Sequence, residues 1–230
     1  MVNEYRPPFD YAKLSFLSDL DYARTLMDVD RRLIGARIGL GLEHRVYEYG
    51  DKDVLKIPRR RLVYKPPTAD IKQWEADIIG QYFPQYYLPT QVRRSSDHPY
   101  YGLVQERLSD FSPLSSDNIG LVADQFGDLV AVNRHLFVEQ GLCLDFIGWE
   151  GFRRSLQAYA SNKAKPVISN IVVVGRDKPR LTILDQTIFC LRENNYGPTL
   201  DEQTLRQIIY LSFGVNRQVV RDFFGIDIVG

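Results

Sequence analysis

The chain has 230 residues, of which 44% are hydrophobic, and its 29 lysines and arginines balance 29 aspartates and glutamates. This length and apolar content suffice for one large domain or two smaller lobes. A net charge of zero provides no overall basic field, so we predict no nucleic-acid partner. The two cysteines, Cys143 and Cys190, favour neither a disulfide framework nor a zinc site, which is typical of a reducing compartment.

Membrane and export signals are also missing from the sequence pattern. No apolar run approaches the roughly 20 residues that a helix needs to cross a bilayer. Residues 1–19 lack the basic start and apolar centre of an export signal. We therefore expect a cytoplasmic protein without a membrane partner.

The first half of the chain is predicted to form a sheet and one helix. Residues 9–30 favour an N-terminal helical segment, because apolar side chains recur there at a loosely helical spacing. Strand patterns over 33–38, 45–49 and 54–57 predict a three-stranded antiparallel meander. An amphipathic helix over 69–83 follows, since its apolar residues fall on one side.

Two further strands, 86–93 and 100–108, complete a predicted lobe of five strands and one helix. We place the boundary of this lobe near residues 107–113. A long helix is predicted over 118–140, and Gly141 would end it in a left-handed cap.

The remainder of the chain is predicted to be mainly helical. Its predicted elements are a buried segment at 142–146, a helix at 149–161, strands at 170–174 and 181–185, and helices at 201–211 and 217–224. The predicted organisation is therefore an extension (1–31), a first lobe (32–110) and a second lobe (111–230).

One candidate site begins at Gly39 and Gly41, which are followed by Val46 and by Lys56 at the end of an apolar run. Glycines allow the backbone to approach a ligand closely, and a lysine beneath such a loop can bind phosphate. Two glycines alone more often mark a turn. A lysine between apolar neighbours also needs a partner, and Glu75 on the predicted helix can supply one.

A second candidate site is formed by Asn170 and Asp185, at the start of one predicted strand and the end of the next. Their side-chain oxygens are suited to Mg²⁺, a hard cation that prefers oxygen ligands. Either residue alone could instead cap a turn. Their spacing across two strands favours a metal-binding pair.

Taken in this order, the glycine loop, strand lysine, helix carboxylate and separated asparagine and aspartate resemble the protein-kinase-like phosphotransferase superfamily, over about residues 32–190. The resemblance implies an α+β, two-lobed protein-kinase-like fold. Its first lobe would be a five-stranded antiparallel sheet with a helix, and its second lobe mainly helical. The resemblance further implies ATP and magnesium as cofactors.

The resemblance also implies a role for each candidate residue. Nucleotide binding would involve Gly39, Gly41, Val46, Lys56, Gln105 and Arg107, and the metal ligands would be Asn170 and Asp185. Glu75 would fix Lys56, and Asp145 would orient or deprotonate the acceptor hydroxyl.

The sequence departs from the family pattern at several positions. His44 stands in the place of a third loop glycine, and the catalytic-loop histidine and arginine are missing. The family places its base five residues before the asparagine, where this chain has Lys165, which cannot act as a base. Asp145 is therefore the candidate base, although it could only cap the helix predicted from Trp149.

Two functions remain open at this point. The first is an ATP- and Mg-dependent phosphotransferase that acts on a hydroxyl group of an unidentified protein or small molecule. The second is a nucleotide-binding pseudokinase that serves as a scaffold or regulator. The sequence indicates neither the acceptor nor the oligomeric state.

Overall fold

The computed structural model describes residues 28–40, 44–58, 69–94, 101–146 and 167–190, together with residues 217, 218, 221 and 225. The chain divides into two compact units, and each unit is assembled from two separate segments. The first unit comprises residues 1–69 and 91–104, and the second comprises residues 70–90 and 105–230.

A five-stranded sheet with the strand order β1-β2-β3-β5-β4 dominates the first unit. Its strands are β1 (Ile34–Leu40), β2 (His44–Tyr49), β3 (Asp53–Pro58), β4 (Thr90–Arg94) and β5 (Tyr101–Glu106). The predicted meander is present, since β1 pairs with β2, and β2 with β3, in antiparallel register. Gly50, with φ of 64°, provides the left-handed turn between β2 and β3. Alternate apolar residues of these strands form a core cluster that includes Tyr47, Leu55 and Ile57.

Two α-helices and two small sheets make up the described part of the second unit. The helices are α1 (Ala69–Tyr82, in this unit from Asp70) and α2 (Ala123–Gln140), and a 3₁₀ turn (Ile119–Leu121) precedes α2. The strands are β6 (Phe111–Ser115), β7 (Leu142–Leu144), β8 (Val167–Val174), β9 (Arg180–Ile183) and β10 (Ile188–Cys190). One sheet has the order β6-β8-β9, and β7 pairs antiparallel with β10 in the other.

The core of the second unit gathers side chains from both helices and from the strands. Helix α2 buries Phe126, Leu129, Val130, Asn133 and Leu136, a spacing of three and four residues that marks one helical face. Ile79 and Phe83 contribute to the same cluster from α1 and its C-terminal end.

Gly141 ends α2 with φ of 69° and donates its N–H to the Phe137 carbonyl at 2.8 Å. The predicted left-handed cap is therefore confirmed.

The predicted fold class is wrong. Strand takes 41% and helix 33% of the described residues, so the described part of the second unit is not mainly helical. Strands β7 and β10 have three residues each, too few for a periodic pattern to reveal them. Strand β6 contains Pro113, which is tolerated because β6 lies at the edge of its sheet.

Several predicted elements lie outside the described residues. They are most of the N-terminal segment (9–27), the helices over 149–161 and 201–211, and most of the helix over 217–224. Within the described ranges, neither helix combines the length and the apolar character that crossing a membrane would require.

Candidate functional site

Three of the predicted nucleotide-binding residues lie side by side on the first sheet. Gly39 of β1 is paired with Val46 of β2, and Val46 is paired with Lys56 of β3. Directly opposed residues of antiparallel strands project to the same face, so these three positions share one face of the sheet. Lys56 is only 7% exposed. The arrangement places a buried amine two strands away from a glycine.

Gly39 also has a packing reason to be a glycine. A Cβ atom at this position would lie 3.2 Å from the Val46 Cβ, which is closer than most such contacts. The pairing of β1 with β2 shifts register between Arg37 and Gly39, so β1 is irregular immediately before Gly39. The other predicted loop glycine, Gly41, lies outside the described residues.

His44, which takes the place of a third loop glycine, is a packing residue. It is 4% exposed, its Nε2 lies 2.9 Å from the Tyr101 hydroxyl, and the two rings meet edge to face. The histidine therefore holds the start of β2 against β5.

The second unit brings together Asp145, Asn170 and Asp185, which are far apart in sequence. The Asn170 Nδ2 donates to the Asp145 carbonyl oxygen at 3.1 Å. The Asn170 carbonyl oxygen accepts the N–H groups of Leu184 at 2.8 Å and Asp185 at 3.4 Å. The Asp145 N–H in turn donates to the Thr187 carbonyl oxygen at 2.9 Å. One side-chain and several backbone hydrogen bonds thus fix the three predicted site residues in one place.

The orientation of the Asn170 amide follows from these contacts. A carbonyl oxygen only accepts hydrogen bonds, so Asn170 must face Asp145 with its NH₂ group. Its Oδ1 is consequently directed elsewhere and is the atom that could bind a cation. Asp145 and Asn170 are buried, with 8% and 5% exposure, and Asp185 is half-buried.

The described residues contain no cluster of three or more histidine, cysteine, aspartate or glutamate side chains arranged to hold a metal ion. A magnesium–nucleotide site needs fewer protein ligands, because Mg²⁺ retains water and takes phosphate oxygens. One amide oxygen and one or two carboxylates are the donor types that this cation prefers. The chemistry of Asn170 and Asp185 therefore fits magnesium.

Glu75 occupies an environment that the sequence did not predict. It is 1% exposed on α1, and its Oε2 lies 2.7 Å from the Nζ of Lys72, which is 3% exposed. Its Oε1 accepts the Ile188 N–H at 3.1 Å, and Lys72 donates to the Gln186 carbonyl oxygen at 3.4 Å. This buried pair therefore anchors the residues that follow Asp185.

Opposing influences act on the Glu75 carboxyl. Burial is the largest, and together with the negative charge of Asp185 it raises the pKa of Glu75. The ammonium group of Lys72 and the Ile188 N–H act in the opposite direction. Lys56, the partner that we predicted for Glu75, belongs to the first unit, and that pairing stays a prediction.

Asn133 is a site-supporting residue that sequence reasoning missed. It is fully buried on α2, accepts the Leu144 N–H at 2.8 Å and donates to the Cys143 Sγ at 3.2 Å. It thereby fixes the strand β7 that leads to Asp145. The available signal was a polar residue on the apolar face of an amphipathic helix. Burial raises the pKa of the neighbouring Cys143 to about 12, so this thiol stays protonated at neutral pH.

Of the last two residues predicted to bind nucleotide, Gln105 is buried and Arg107 is exposed. Gln105 donates its Nε2 to the Thr90 Oγ1 at 2.7 Å. Thr90 and Gln105 both belong to the second unit: Thr90 is the last residue of its first segment, and Gln105 is the first residue of its second segment.

No protein-family model matches this sequence, and a search of curated proteins found no match. Function must therefore be inferred from the residues and their geometry.

Proposed function

We propose that this chain is an ATP- and Mg²⁺-dependent phosphotransferase that acts on a hydroxyl group of a protein or small-molecule acceptor. The observation that carries the proposal is the hydrogen-bonded convergence of Asp145, Asn170 and Asp185. The sequence resemblance to phosphotransferases supports it. The spacing of its two cysteines does not favour a disulfide framework, which supports action in a reducing compartment such as the cytoplasm.

In this proposal the Asn170 Oδ1 and the Asp185 carboxylate would hold magnesium. The ion, when bound, neutralises negative charge on the nucleotide phosphates. Within the first unit, the Lys56 ammonium and the backbone beside Gly39 would be suited to phosphate oxygens, on the face of the sheet that they share with Val46.

Asp145 supplies the proton acceptor. The acceptor oxygen forms a bond to the γ-phosphorus while the bond from that phosphorus to the bridging oxygen of the ADP leaving group breaks. The hydroxyl proton passes to the Asp145 carboxylate. Asn133 and Asn170 hold the backbone on either side of this carboxylate, so positioning requires no rearrangement of the strand.

A second function, nucleotide binding without turnover by a scaffold or regulator, is favoured by the state of Glu75. Both of its carboxylate oxygens already have partners within the second unit, Lys72 and the Ile188 N–H. A glutamate engaged in this way has a structural role within its own unit, which favours nucleotide binding without efficient turnover.

The test measures transfer of labelled phosphate from ATP in the presence of magnesium. The acceptors are peptides with serine, threonine and tyrosine, a panel of hydroxylated small molecules, and the chain itself. We expect Asp185→Ala to lower transfer by about 100-fold or more, the scale of losing a group that stabilises transition-state charge. The matched control, Asp177→Ala, changes an exposed aspartate in the turn between β8 and β9 and should leave transfer unchanged.

Each other outcome has a defined meaning. Equal transfer by wild type and Asp185→Ala would contradict the metal assignment. A rise in melting temperature with ATP and magnesium, without transfer to any acceptor, would support the scaffold or regulator. No binding of ATP at all would contradict both functions.

A further inference from the structure

Residues 184–187, which join β9 to β10, contain the candidate metal ligand Asp185 and belong to no helix or strand. A backbone outside regular structure has no ladder of hydrogen bonds, so individual contacts must fix its path. The Asn170 carbonyl oxygen holds the start of this connection, because it accepts the N–H groups of Leu184 and Asp185. Side chains of helix α1 hold its other end.

Lys72 and Glu75 supply these contacts from one side of α1. The Lys72 Nζ donates to the Gln186 carbonyl oxygen at 3.4 Å, and the Glu75 Oε1 accepts the Ile188 N–H at 3.1 Å. The two side chains also contact each other, with 2.7 Å between the Lys72 Nζ and the Glu75 Oε2. Because residues three apart are neighbours on a helix surface, α1 holds the backbone at two points on either side of Thr187.

Thr187 links this part of the chain to the candidate base. Its carbonyl oxygen accepts the Asp145 N–H at 2.9 Å. The Asp145 carbonyl oxygen accepts a hydrogen bond from the Asn170 Nδ2 at 3.1 Å. The path of residues 185–188 therefore sets where Asp185 lies relative to the other two site residues.

Stability alone does not account for a buried ion pair at this position. Lys72 is 3% and Glu75 is 1% exposed, so both ions have lost their hydration. Well-packed apolar side chains of similar volume often give equal or higher stability in place of such a pair. Apolar side chains cannot, however, donate to one backbone carbonyl and accept from a backbone N–H two residues further on. The two backbone contacts therefore explain why charged residues stand here.

We propose that Lys72 and Glu75 are positioning residues, which hold residues 186–188 so that the Asp185 carboxylate stays in the place where it binds the metal ion. This inference rests on the proposed function. It is separate from the pairing of Glu75 with Lys56 that the resemblance implies. Residues that support metal ligands in this way typically contribute roughly 10- to 100-fold to metal affinity.

The experiment measures, by calorimetry, how tightly the full chain binds a nonhydrolysable ATP analogue with Mg²⁺ and without it. The ratio of the two affinities, which we call the metal gain, isolates what the metal site contributes to binding. At pH 8 we expect Lys72→Met to lower the metal gain about tenfold relative to wild type, toward the value of Asp185→Ala. A loss of folded protein alone would lower the number of binding sites and leave the metal gain unchanged.

The sign of the change separates positioning from electrostatics. Burial, and with it the negative charge of Asp185, raises the pKa of Glu75, so the charges of the two carboxylates act on each other. At pH 8, removing the Lys72 ammonium leaves the Glu75 carboxylate as an unpaired negative charge. An additional negative charge attracts a cation, so electrostatics alone would raise the metal gain, whereas loss of positioning lowers it.

A double variant, Lys72→Met with Glu75→Gln, keeps the inference testable if the single variant does not fold. It buries no unpaired charge, and its glutamine oxygen can still accept the Ile188 N–H, but it lacks the contact with Gln186. We expect its metal gain also to lie about tenfold below that of wild type. The matched control is Asp77→Ala, which removes an exposed, hydrogen-bonded side chain of the same helix and should keep the wild-type metal gain.

The other outcomes separate this inference from the proposed function. A wild-type metal gain in either folded Lys72 variant would overturn the inference and leave the proposed function intact. A wild-type metal gain in Asp185→Ala would contradict the metal assignment, and the inference would fail with it. If wild type does not bind the analogue at all, the proposed function fails and so does this inference.

Discussion

Lys72 and Glu75 place two opposite charges where water cannot stabilise either of them. Their side chains are 3% and 1% exposed, and their charged atoms are 2.7 Å apart. A buried pair gains less than its geometry suggests, because both ions lose their hydration. Removing one partner is costly, however, because the remaining charge is then buried alone. The stability of the second unit should therefore depend on keeping both residues or neither.

We predict that Lys72→Met lowers the free energy of unfolding by about 3–5 kcal/mol at pH 8. The loss should shrink as the pH falls, for the following reason. The folded pKa of Glu75 lies above its usual value of 4.5, mainly because of burial, so the stability that this group contributes is present below 4.5 and is lost as pH rises through the folded pKa. Since Lys72 holds that pKa down, its removal raises the pKa further and lets Glu75 take up a proton at higher pH.

Urea denaturation of wild type and Lys72→Met at pH 8 and pH 5 measures this difference. The double variant Lys72→Met with Glu75→Gln removes both charges, and its stability relative to wild type should change less between the two pH values. The same loss for Lys72→Met at both pH values would contradict the prediction.

At the scale of single elements, the C-terminal end of α2 sets the direction of the chain toward Asp145. Gly141 adopts φ of 69°, in the left-handed region where a side chain clashes with its own backbone. β7 begins at the very next residue. The Oδ1 of Asn133, a residue of α2, accepts the N–H of Leu144 in β7. The glycine and the asparagine together define how helix and strand meet.

Two glycine substitutions in this helix region should have opposite effects on stability. Gly141→Ala should destabilise by about 1 kcal/mol, because alanine is strained at this φ. Gly127→Ala should stabilise by roughly 0.4–1 kcal/mol, because Gly127 lies inside α2 and an added Cβ would meet nothing within 4 Å. Thermal unfolding followed by circular dichroism measures both changes. A stabilising Gly141→Ala would show that the left-handed cap does not constrain the chain.

Long elements were predictable from the sequence because many residues repeat the same pattern. Helix α1 was predicted over 69–83 and spans Ala69–Tyr82, since a run of this length has a clear apolar face. Strands β7 and β10 gave no such signal at three residues each. The expectation of a mainly helical second lobe came from the residue patterns as well as from the resemblance, and it was wrong.

The sequence likewise predicted some residues of the candidate site and not others. The ends of predicted strands indicated Asn170 and Asp185, and the structure places them together with Asp145. Their role in binding metal stays a prediction. The Glu75 environment could not be predicted, because a lysine three residues earlier on a helix is usually a solvated surface partner. Only packing against the segment from Gln186 to Ile188 buries this pair.

At the scale of the whole molecule, neither compact unit is continuous in sequence. The second unit takes residues 70–90 from the first half of the chain, and these supply Ile79, Phe83 and Tyr86 to its core cluster. The Tyr86 carbonyl oxygen also accepts the Ile183 N–H at 2.8 Å, beside a parallel bridge between Tyr87 and Ile183. Residues 105–230 alone therefore lack both a wall of their core and a neighbour for β9.

We predict that a fragment of residues 105–230 does not unfold cooperatively, and that adding a peptide of residues 70–90 restores a cooperative transition. Each large buried side chain lost from a core costs about 3–5 kcal/mol. Losing two of them therefore costs more than about 5 kcal/mol, which is the whole free energy of unfolding of many domains. Thermal circular dichroism of the fragment with and without peptide measures the effect. A control peptide with Ile79→Ala and Phe83→Ala should not restore the transition, since it keeps the length but not the core side chains. A cooperative transition of the fragment alone would show that residues 105–230 fold without the segment that the first half of the chain contributes.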